Sequence, residues 1–476
     1  MITQFRSLTT KYDPNGNLAE EQLTVPLGGT PTLVDSASYG YDLSDRKEKA
    51  TDAGGFTTAY AYDAAGNLVK VTNPDNYTLS FDYDENNRVL KAFDQEGNTV
   101  TRTLDPDGKP RAVTDPNGNT VAYDYYDATK DGRLKKITQP RIQAYGAGRA
   151  TQFDYDANGN TTTVTDIPAD GTASRTTTTT YDELNRPTRI VGPAYADATL
   201  GTIRPVTRYG YDTLGNLVKV EAGRTDATGT NPASDVVTTQ AAHAYDDFGR
   251  KLRETDPLGK PWSFEYDTNN NVTKVTDAKS QVTTYSWGYG HQLMGRASTA
   301  GNLAYTRNPL GQILTAQSPE VTYSHTYDAA HRLKSVTDSR GNKTLGYGWS
   351  PGGLLNNLSD SDGKRTDYLY DAVGRLTGIW ASSFDYVSFA YDRGGRLTEK
   401  WFPNGVTARY GYNADNTLSQ VINRSGSATI ISQHDYTYDG VGNRTTHTEK
   451  VGATTTAYTY GYNELGRRWG RCLFVD

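Results

Sequence analysis

Carboxylates are the side chains in this sequence that could most readily bind a metal ion or act in catalysis, because aspartate recurs beside asparagine and glycine in many short segments. Residues 105–108 (Asp-Pro-Asp-Gly) and 156–160 (Asp-Ala-Asn-Gly-Asn) contain oxygen ligands of the kind that calcium prefers. Neither segment has a third ligand at regular spacing or the final glutamate of an EF-hand loop. We therefore interpret these aspartates as caps for backbone amides in turns, and the sequence predicts no metal ion and no cofactor.

Paired carboxylates and histidines could also act as general acids and bases, but a catalytic pair should be unique in a chain. The same aspartate is copied in the same type of segment many times, which indicates a structural role. The histidines follow neither the His-Glu-x-x-His nor the His-x-His arrangement of metal sites. The six are His243, His291, His325, His331, His434 and His447. The sequence predicts no catalytic residues and no enzymatic activity.

The aspartates belong to a repeated unit, of which residues 60–83 are a representative copy. Asp63 occupies the first position of a type I turn and Gly66 the fourth, where a left-handed backbone costs glycine little. The aliphatic and β-branched run at 67–72 predicts a strand, and Pro74 then fixes φ in a second turn. The end of the copy alternates aromatic and polar residues, as a strand does. One unit is therefore predicted to be a β-hairpin plus its link to the next.

Copies of the Tyr-Asp turn recur along the whole chain, and the shortest spacing is about 21 residues, as between Tyr62 and Tyr83. We predict that residues 1–476 form one array of about twenty units without a separate domain. The turn residues that define the units best are Tyr62, Asp63, Gly66, Tyr211, Asp212, Gly215, Tyr370, Asp371, Gly374, Tyr391, Asp392 and Gly395.

The spacing between copies increases in the region of residues 140–245. The extra residues fall in stretches rich in Gly, Ala, Thr and Pro, which predict lengthened hairpin loops. Insertions in a repeat array recur at one place of the unit, so we expect these loops to lie together at one rim. The stretches are 143–150, 167–175, 192–204 and 222–234.

Some copies depart from the pattern but are expected to keep a turn. Leu104 replaces the tyrosine of its unit, and Tyr-Asp pairs occur at both Tyr123 and Tyr126. The pattern is weakest at residues 292–316. A second turn without proline is predicted at residues 338–341, with its glycine at the fourth position.

The composition favours a thin wound sheet. Hydrophobic residues make up only 35% of the chain, whereas its 35 tyrosines and frequent Thr and Val favour strands. About twenty hairpins give about forty strands, far more than the roughly ten that an open twisted sheet accommodates before it curls. We therefore predict an all-β fold, in which tandem hairpins form one large antiparallel sheet wound into a spiralling, hollow, barrel-like shell. Tyrosine and phenylalanine contacts between neighbouring hairpins should hold it together.

Charge and hydropathy exclude two classes of partner. The 49 Lys and Arg residues nearly balance the 55 Asp and Glu, so the sequence predicts no basic face for nucleic acid. It contains no run of about 18 apolar residues, so no membrane insertion is predicted, and its first residues lack the apolar core of a signal peptide. The single cysteine, Cys472, excludes an intrachain disulfide and leaves the redox compartment undetermined.

Residues 211–217, 370–376 and 391–397 share the form Tyr-Asp-x-x-Gly-(Asn/Arg)-Leu. These units resemble the YD repeats of the RHS family, which are shared with the C component of Tc toxin complexes and with teneurins, and the resemblance covers nearly the whole chain. It implies a β-sheet cocoon that encloses a C-terminal toxin domain and releases it into a target cell, with a secreted or cell-surface location. The implied partners are a toxin-domain cargo or further shell or plug modules of the same system.

The sequence departs from the pattern of that family after its last unit. Nine residues follow Arg467, and they contain no core-associated segment, self-cleavage site or toxin, so no catalytic residues carry over. Neither end resembles the polar cap that a repeat array needs. We expect a partial shell with exposed edges, which self-associates or pairs with a partner.

Two alternatives stay open. The resemblance to teneurins suggests a surface-exposed array that acts in adhesion by binding a cell-surface protein. Exposed rows of tyrosine could instead stack on sugars, which makes glycan binding the best ligand hypothesis from the residues alone. A signal peptide or anchor encoded upstream would favour adhesion, whereas downstream toxin and immunity genes would favour the cocoon.

Overall fold

The computed structural model describes most of the chain. The described residues are 7–27, 30–52, 55–74, 76–94, 97–140, 147–171, 173–197, 199–308, 310–382, 385–426, 429–439, 443–462 and 468–475. Within these ranges, the side chains of 25–27, 30–35, 129, 289, 382, 385 and 468–475 are outside the description. The thiol of Cys472 and the predicted loop residues 143–146 therefore lie outside the described part.

The described residues form 41 strands, β1 to β41. The first twenty are β1 (Ser7–Tyr12), β2 (Leu18–Leu27), β3 (Thr30–Tyr41), β4 (Lys47–Thr51), β5 (Thr57–Tyr62), β6 (Leu68–Thr72), β7 (Thr78–Tyr83), β8 (Val89–Phe93), β9 (Thr99–Leu104), β10 (Pro110–Thr114), β11 (Thr120–Tyr125), β12 (Leu134–Thr138), β13 (Ala150–Tyr155), β14 (Thr161–Ile167), β15 (Arg175–Tyr181), β16 (Pro187–Val191), β17 (Tyr195–Asp197), β18 (Gly201–Tyr211), β19 (Leu217–Thr225) and β20 (Val236–Tyr245). The others are β21 (Lys251–Thr255), β22 (Pro261–Tyr266), β23 (Val272–Thr276), β24 (Val282–Trp287), β25 (Leu293–Ser298), β26 (Gly301–Arg307), β27 (Ile313–Gln317), β28 (Thr322–Tyr327), β29 (Leu333–Asp338), β30 (Lys343–Trp349), β31 (Leu355–Asp360), β32 (Arg365–Tyr370), β33 (Leu376–Ser382), β34 (Asp385–Tyr391), β35 (Leu397–Trp401), β36 (Val406–Tyr412), β37 (Leu418–Ser425), β38 (Thr429–Tyr438), β39 (Arg444–Val451), β40 (Thr454–Tyr462) and β41 (Arg468–Val475).

The strands form one antiparallel meander, in which each strand pairs with the next one along the chain. The exception is β17, which adds a short ladder to β18 while β16 also pairs with β18. Helical structure in the described residues is confined to 3₁₀ turns at Ala128–Lys130, Pro232–Ser234 and Tyr289–His291. The predicted all-β fold of about forty strands is confirmed.

The alternation of turns gives the sheet two rims. The Tyr-Asp turns, such as the one between β5 and β6, lie at one rim, which we call the tyrosine rim. The alternate turns, such as the one between β6 and β7, lie at the opposite rim, which we call the second rim. The connections after β12, β14, β16 and β19, where the predicted insertions fall, all belong to the second rim.

The two faces of the sheet differ in character because successive side chains of a strand point to opposite sides. One face, the tyrosine face, carries half-buried residues such as Tyr60 and Val71, which are cross-strand partners. The other, the threonine face, carries polar pairs such as Thr51 with Thr57, whose hydroxyl oxygens are 2.7 Å apart. The threonine face is the more exposed one in the regular hairpins.

Contacts between turns that are far apart in sequence establish that the sheet winds as a spiral. The second rim of the first winding lies against the tyrosine rim of the following winding. The contacting pairs are Asp52 with His331, Asn117 with Asp371, and Arg175 with Asp415. The partners are 279, 254 and 240 residues apart, so one winding takes between 240 and 279 residues.

The wound sheet encloses little solid core. Its accessible surface is 27422 Å², compared with about 17,500 Å² expected for a compact protein of 52.2 kDa. Most apolar side chains of the described strands are half-buried, as expected for a single layer. The open spiral shell predicted from the sequence agrees with this arrangement.

The long repeats differ from the prediction, because part of the inserted chain extends strands. Residues 192–204 contain β17 and the start of β18, and residues 222–225 prolong β19. Val191, Val206 and Thr225 are the largest fully buried side chains among the described residues. The described residues of the stretch 167–175 are mainly loop, between β14 and β15, and residues 226–231 after β19 are loop as well. The inserted sequence therefore builds a local core where loops alone were predicted.

The second turn predicted at residues 338–341 is also corrected. Asp338 pairs with Lys343 across the hairpin, so the turn contains four residues. The left-handed residue is Asn342, with a φ of 52°, and Gly341 does not adopt a positive φ. Asparagine tolerates this backbone through its short polar side chain, which explains why glycine is dispensable at that position.

Candidate functional site

The Tyr-Asp turn after β5 is built around Asp63. The Gly66 amide donates to the Asp63 carbonyl at 3.1 Å, and the Asp63 amide donates to the Asn67 carbonyl at 3.0 Å. Gly66 has a φ of 92°, and the strand register shifts between Ala61 and Tyr62. This is a type I turn followed by a glycine bulge. The Asp63 carboxylate accepts from the amide of Asn67 at 2.8 Å and from its Nδ2 at 2.9 Å.

The other turns singled out from the sequence have the same geometry. In each, the glycine amide donates to the carbonyl of the aspartate three residues earlier, and the glycine φ is positive. The pairs are Gly215 with Asp212 (3.1 Å, φ 89°), Gly374 with Asp371 (2.9 Å, φ 78°) and Gly395 with Asp392 (3.0 Å, φ 80°).

A second network, which we name the hydroxyl ladder, links each hairpin to the one before it. Tyr391 Oη donates to the Leu376 carbonyl at 2.8 Å, and Tyr412 Oη donates to the Leu397 carbonyl at 2.9 Å. The acceptor is the first residue of the second strand of the preceding hairpin. The same bond joins Tyr62 to Lys47, Tyr211 to Pro187 and Tyr370 to Leu355. Further ladder tyrosines are Tyr41, Tyr83, Tyr125, Tyr155, Tyr181, Tyr245, Tyr266, Tyr327, Tyr438 and Tyr462.

Other residue types replace tyrosine in the ladder where the sequence pattern weakens. The Nε1 atoms of Trp287 and Trp349 donate to the corresponding carbonyls at 2.7 Å, and Arg307 Nε does so at 3.1 Å. Sequence reasoning missed these residues, although each directly precedes a turn residue at the expected place. Leu104 is the ladder position that has no side-chain donor.

The Tyr-Asp pairs at Tyr123 and Tyr126 are corrected by the ladder. Tyr125 supplies the hydroxyl of this unit and donates to the Pro110 carbonyl at 3.0 Å. Tyr123 lies inside β11, and the Tyr126 hydroxyl donates to the Phe153 carbonyl at 3.1 Å. Neither of the two predicted tyrosines therefore occupies the ladder position.

An arginine that follows the turn glycine connects three groups at once. Arg375 Nε donates to Asp371 Oδ2 at 2.7 Å, and its Nη1 donates to the Asp392 carbonyl of the next turn at 3.3 Å. Its guanidinium lies 4.8 Å from the ring centroid of Tyr391, a cation–π distance. Sequence reasoning recorded the arginine in the repeat but missed this role. Where asparagine replaces arginine, the bridge is shorter, and Asn67 Nδ2 contacts its own Asp63 and Asn87 of the next turn.

Hydrogen bonding lowers the pKa of several turn carboxylates. The Asn67 side chain and backbone amides lower the pKa of Asp63 below its ordinary value, and Asn216 does the same for Asp212. The pKa of Asp371 is also lowered, because the bonds from Arg375 outweigh its burial. Burial raises the pKa of the Tyr370 hydroxyl.

The carboxylates that could have bound calcium are occupied by amides. Asp156 Oδ1 accepts from the Asn160 amide at 2.9 Å, and Oδ2 accepts from Asn160 Nδ2 at 2.9 Å. Asp105 Oδ1 accepts from the Lys109 amide at 2.9 Å. Within the described residues, no three His, Cys, Asp or Glu side chains come together as a metal site would require.

Two histidines that are distant in sequence meet on the tyrosine face. His434 Nδ1 lies 3.1 Å from His447 Nε2, and the rings stack with centroids 5.4 Å apart. Tyr436 and Tyr458, the cross-strand neighbours of His447, stack on it from either side. The cluster is an aromatic ladder across β38, β39 and β40, which alternation along three paired strands explains.

The second rim of the first winding meets the tyrosine rim of the following winding along a line that we call the seam. The seam combines polar contacts with an apolar cleft of about 540 Å³. Phe93 and Val100 line the cleft from the first winding, and Leu354 and Val373 line it from the second. At one end of the seam, the His331 ring packs edge-on against Phe56, with centroids 5.1 Å apart. The seam therefore joins turns of two windings through both ion pairs and apolar contact.

These features define a class of repeat protein, in which tandem β-hairpins with Tyr-Asp turns form a single wound sheet. The RHS Repeat family matches residues 41–78, 62–99, 105–141 and 245–282, and the Teneurin YD-shell family matches residues 314–446. The chain belongs to the RHS/YD-repeat family. A search of curated proteins gives no match.

Solved structures of Tc toxin complexes share the fold. The chain is similar to a crystal structure of TcdB2-TccC3, with a TM-score of 0.61 at 14% identity over 96% of this chain and 31% of that chain. A second structure, TcdB2-TccC3 without its hypervariable C-terminal region, gives a TM-score of 0.60 at 14% identity over 99% of this chain and 31% of that chain. The chain thus spans less than a third of the length of these relatives. Among its described residues, none form a helix with the length and hydrophobicity that a membrane crossing requires.

Proposed function

We propose that this chain is wall material of a secreted or cell-surface shell that encloses a toxin polypeptide. The observation that carries the proposal is the spiral seam, in which turns 240 to 279 residues apart in sequence meet rim to rim. A sheet whose successive windings meet along their rims can separate an inside from an outside. A wall of this kind needs no catalytic group, because it acts by excluding proteases and holding a polypeptide.

The two structural relatives support the proposal by analogy of fold. Both are TcdB2-TccC3 assemblies, and one lacks a hypervariable C-terminal region. The proposed partners are a toxin-domain cargo and further shell or plug modules, because this chain covers 31% of the TcdB2-TccC3 chain. The proposed role is structural rather than enzymatic.

Protease protection tests the enclosure. The full chain would be co-expressed with the polypeptide encoded directly downstream, purified, and treated with trypsin. We expect the downstream polypeptide to be digested at least tenfold more slowly in the complex than alone. Digestion at the same rate, or failure of the two to co-purify, would contradict the proposal.

A matched control uses the seam. The double variant Asp52→Ala, Arg175→Ala removes two of the contacts between windings and leaves the ladder and the Tyr-Asp turns intact. Protection should fall in this variant while the strand content, measured by circular dichroism, stays the same. Equal protection in variant and wild type would mean that the seam does not close the shell.

Adhesion is the second candidate, and the Teneurin YD-shell match over residues 314–446 favours it. In that case a cell-surface protein would bind the outer wall, and no cargo would be protected. Binding of the labelled chain to cells without any protected polypeptide would support adhesion over enclosure.

A further inference from the structure

Two neighbouring hairpins depart from the repeat at one position of the threonine face. Threonine is the commonest fifth residue of the second strand of a hairpin, in nine of the twenty hairpins, as in Thr72, Thr114 and Thr276. In β33 and β35 this residue is Trp380 and Trp401, respectively. None of the other second strands has tryptophan at this position, so the pair is a local feature that the repeat itself does not explain.

The exception places large rings in solvent. Trp380 and Trp401 are 49% and 54% exposed, and Tyr386 and Leu369 beside them are 39% and 44% exposed. Trp380 pairs across the strands with Tyr386, where three early hairpins have the threonine pairs Thr51 with Thr57, Thr72 with Thr78 and Thr114 with Thr120. The Trp380 and Tyr386 rings meet edge to face, with centroids 5.4 Å apart. We call Leu369, Trp380, Tyr386 and Trp401 the aromatic platform.

Gly378 forms the floor of the platform. A Cβ atom at this position would lie 2.9 Å from Tyr386 Cε2 and 3.2 Å from Leu369 Cδ1. The missing side chain lets the tyrosine ring and the leucine lie over the sheet between β32 and β34. Trp401 lies two strands from Trp380, about 10 Å away across the sheet at the usual strand spacing.

Hydrogen-bonding groups flank the rings on the same face. Arg365 and Asp367 form an ion pair at 2.7 Å on one side of the platform. Arg409 and Glu399 form another at 3.0 Å on the opposite side. Ser388 lies between them, as the cross-strand partner of both Gly378 and Trp401. Strand alternation puts all these residues on the face that carries the rings.

We propose that the aromatic platform is a carbohydrate-binding site. A pyranose ring has one apolar face of C–H groups and a border of hydroxyls, which matches exposed rings flanked by paired carboxylates and guanidinium groups. The two arginines and two acids sum to zero charge, so the platform offers no attraction for phosphate backbones or anionic lipid. Trp and Tyr also lose little conformational entropy on binding.

The site differs from the tyrosine rows considered from sequence. Ladder tyrosines such as Tyr370 and Tyr391 are half-buried and donate their hydroxyls to carbonyls of the sheet. They are therefore committed to joining hairpins. The platform proposal is independent of enclosure, because a wall can bind sugars whether or not it protects a cargo.

Affinity electrophoresis tests the proposal. The full chain would be run in native gels that contain soluble amylopectin, laminarin, mannan, xylan or galactan, and chitohexaose would be titrated by tryptophan fluorescence. We expect binding to at least one probe. Trp380→Thr and Trp401→Thr restore the residue that other hairpins carry and should each weaken that binding at least about tenfold. Gly378→Ala should also weaken it, by displacing Tyr386.

The matched control is Trp262→Thr. Trp262 is 41% exposed but lies in β22, far along the sheet from β33. Its substitution should leave binding unchanged. The proposal is overturned if no probe binds, or if the three platform variants bind as the wild type does. It is also overturned if the platform variants instead abolish self-association or binding of a proline-rich peptide, because the platform would then be a protein-docking surface.

Discussion

The regular wall from β32 to β37 and the long repeats from β16 to β20 share the hydroxyl ladder, but the long repeats add a buried core. In the regular wall, each hairpin is joined to the next by a tyrosine hydroxyl and an arginine bridge, as at Tyr391 and Arg375. In the long repeats, the loop after β19 folds back over β16 and buries Arg189 against Asp235. A thin sheet can thus rely on copied polar links, whereas a local core forms only where the inserted chain is long enough to cover a face.

Breaking the buried ion pair should have the largest effect. Arg189 and Asp235 side chains are 9% and 0% exposed, and the guanidinium also donates to the Gly229 carbonyl at 2.8 Å. Arg189→Ala leaves an uncompensated buried carboxylate, so we expect a loss of about 3–5 kcal/mol in urea unfolding. The exposed pair of Lys274 and Glu265 is the control, and Lys274→Ala should cost less than about 1 kcal/mol. Equal losses would mean that the long repeats have no true core.

Straining a turn of the regular wall should come second. Gly66 has a φ of 92°, and a Cβ there would meet only Arg46 Nη1 at 3.8 Å, so the cost of a side chain is in the backbone. Gly66→Val should lower the stability by about 1–3 kcal/mol. Ala65→Val, at the neighbouring position without positive φ, should cost much less in the same thermal melts. Similar losses for both variants would show that the left-handed backbone is not required.

The hydroxyl ladder can be tested by removal and by addition. Tyr391→Phe removes the donor to Leu376 and should cost about 0.5–1.5 kcal/mol. Leu104→Tyr adds a hydroxyl at the ladder position that lacks one. Its acceptor should be the Val89 carbonyl, because Val89 is the first residue of the second strand of the preceding hairpin. This variant should be more stable than the wild type by about 0.5–1 kcal/mol. The two effects should have opposite signs in urea unfolding. A destabilising Leu104→Tyr would show that the ladder geometry is interrupted in that hairpin.

Protonation of a turn aspartate at low pH should give the smallest loss of stability per turn. Because hydrogen bonds lower the pKa of Asp63 from its ordinary value of 3.8, its contribution is complete above pH 3.8 and is lost as the pH falls through the lower folded value. Many turns share this cap, so the melting temperature should fall steadily below pH 4. Asp63→Asn keeps an acceptor oxygen without a titrating group, and its melting temperature should decrease slightly less over the same range. A melting temperature that does not change between pH 5 and 3 would contradict this expectation.

Sequence reasoning predicted the hairpins well, because turns and strand alternation are local properties. Asp63 and Gly66 are sufficient to specify a turn, and the run that follows is sufficient to specify a strand. It failed at Tyr123 and Tyr126, where two overlapping pairs hid the ladder residue Tyr125. It also failed at Asn342, because asparagine can take the left-handed backbone that was assigned to glycine.

The sequence by itself determined that the chain is an all-β array of about twenty hairpins, because each hairpin is encoded by neighbouring residues and copied. Only the tertiary structure decided which hairpins meet across the seam, as with Asp52 and His331, since that depends on the accumulated twist of more than twenty strands. It also decided that Trp380 and Trp401 share one exposed face. The sequence lists both as apolar residues at ordinary strand positions, and their exposure follows from the absence of a layer over that face of the sheet.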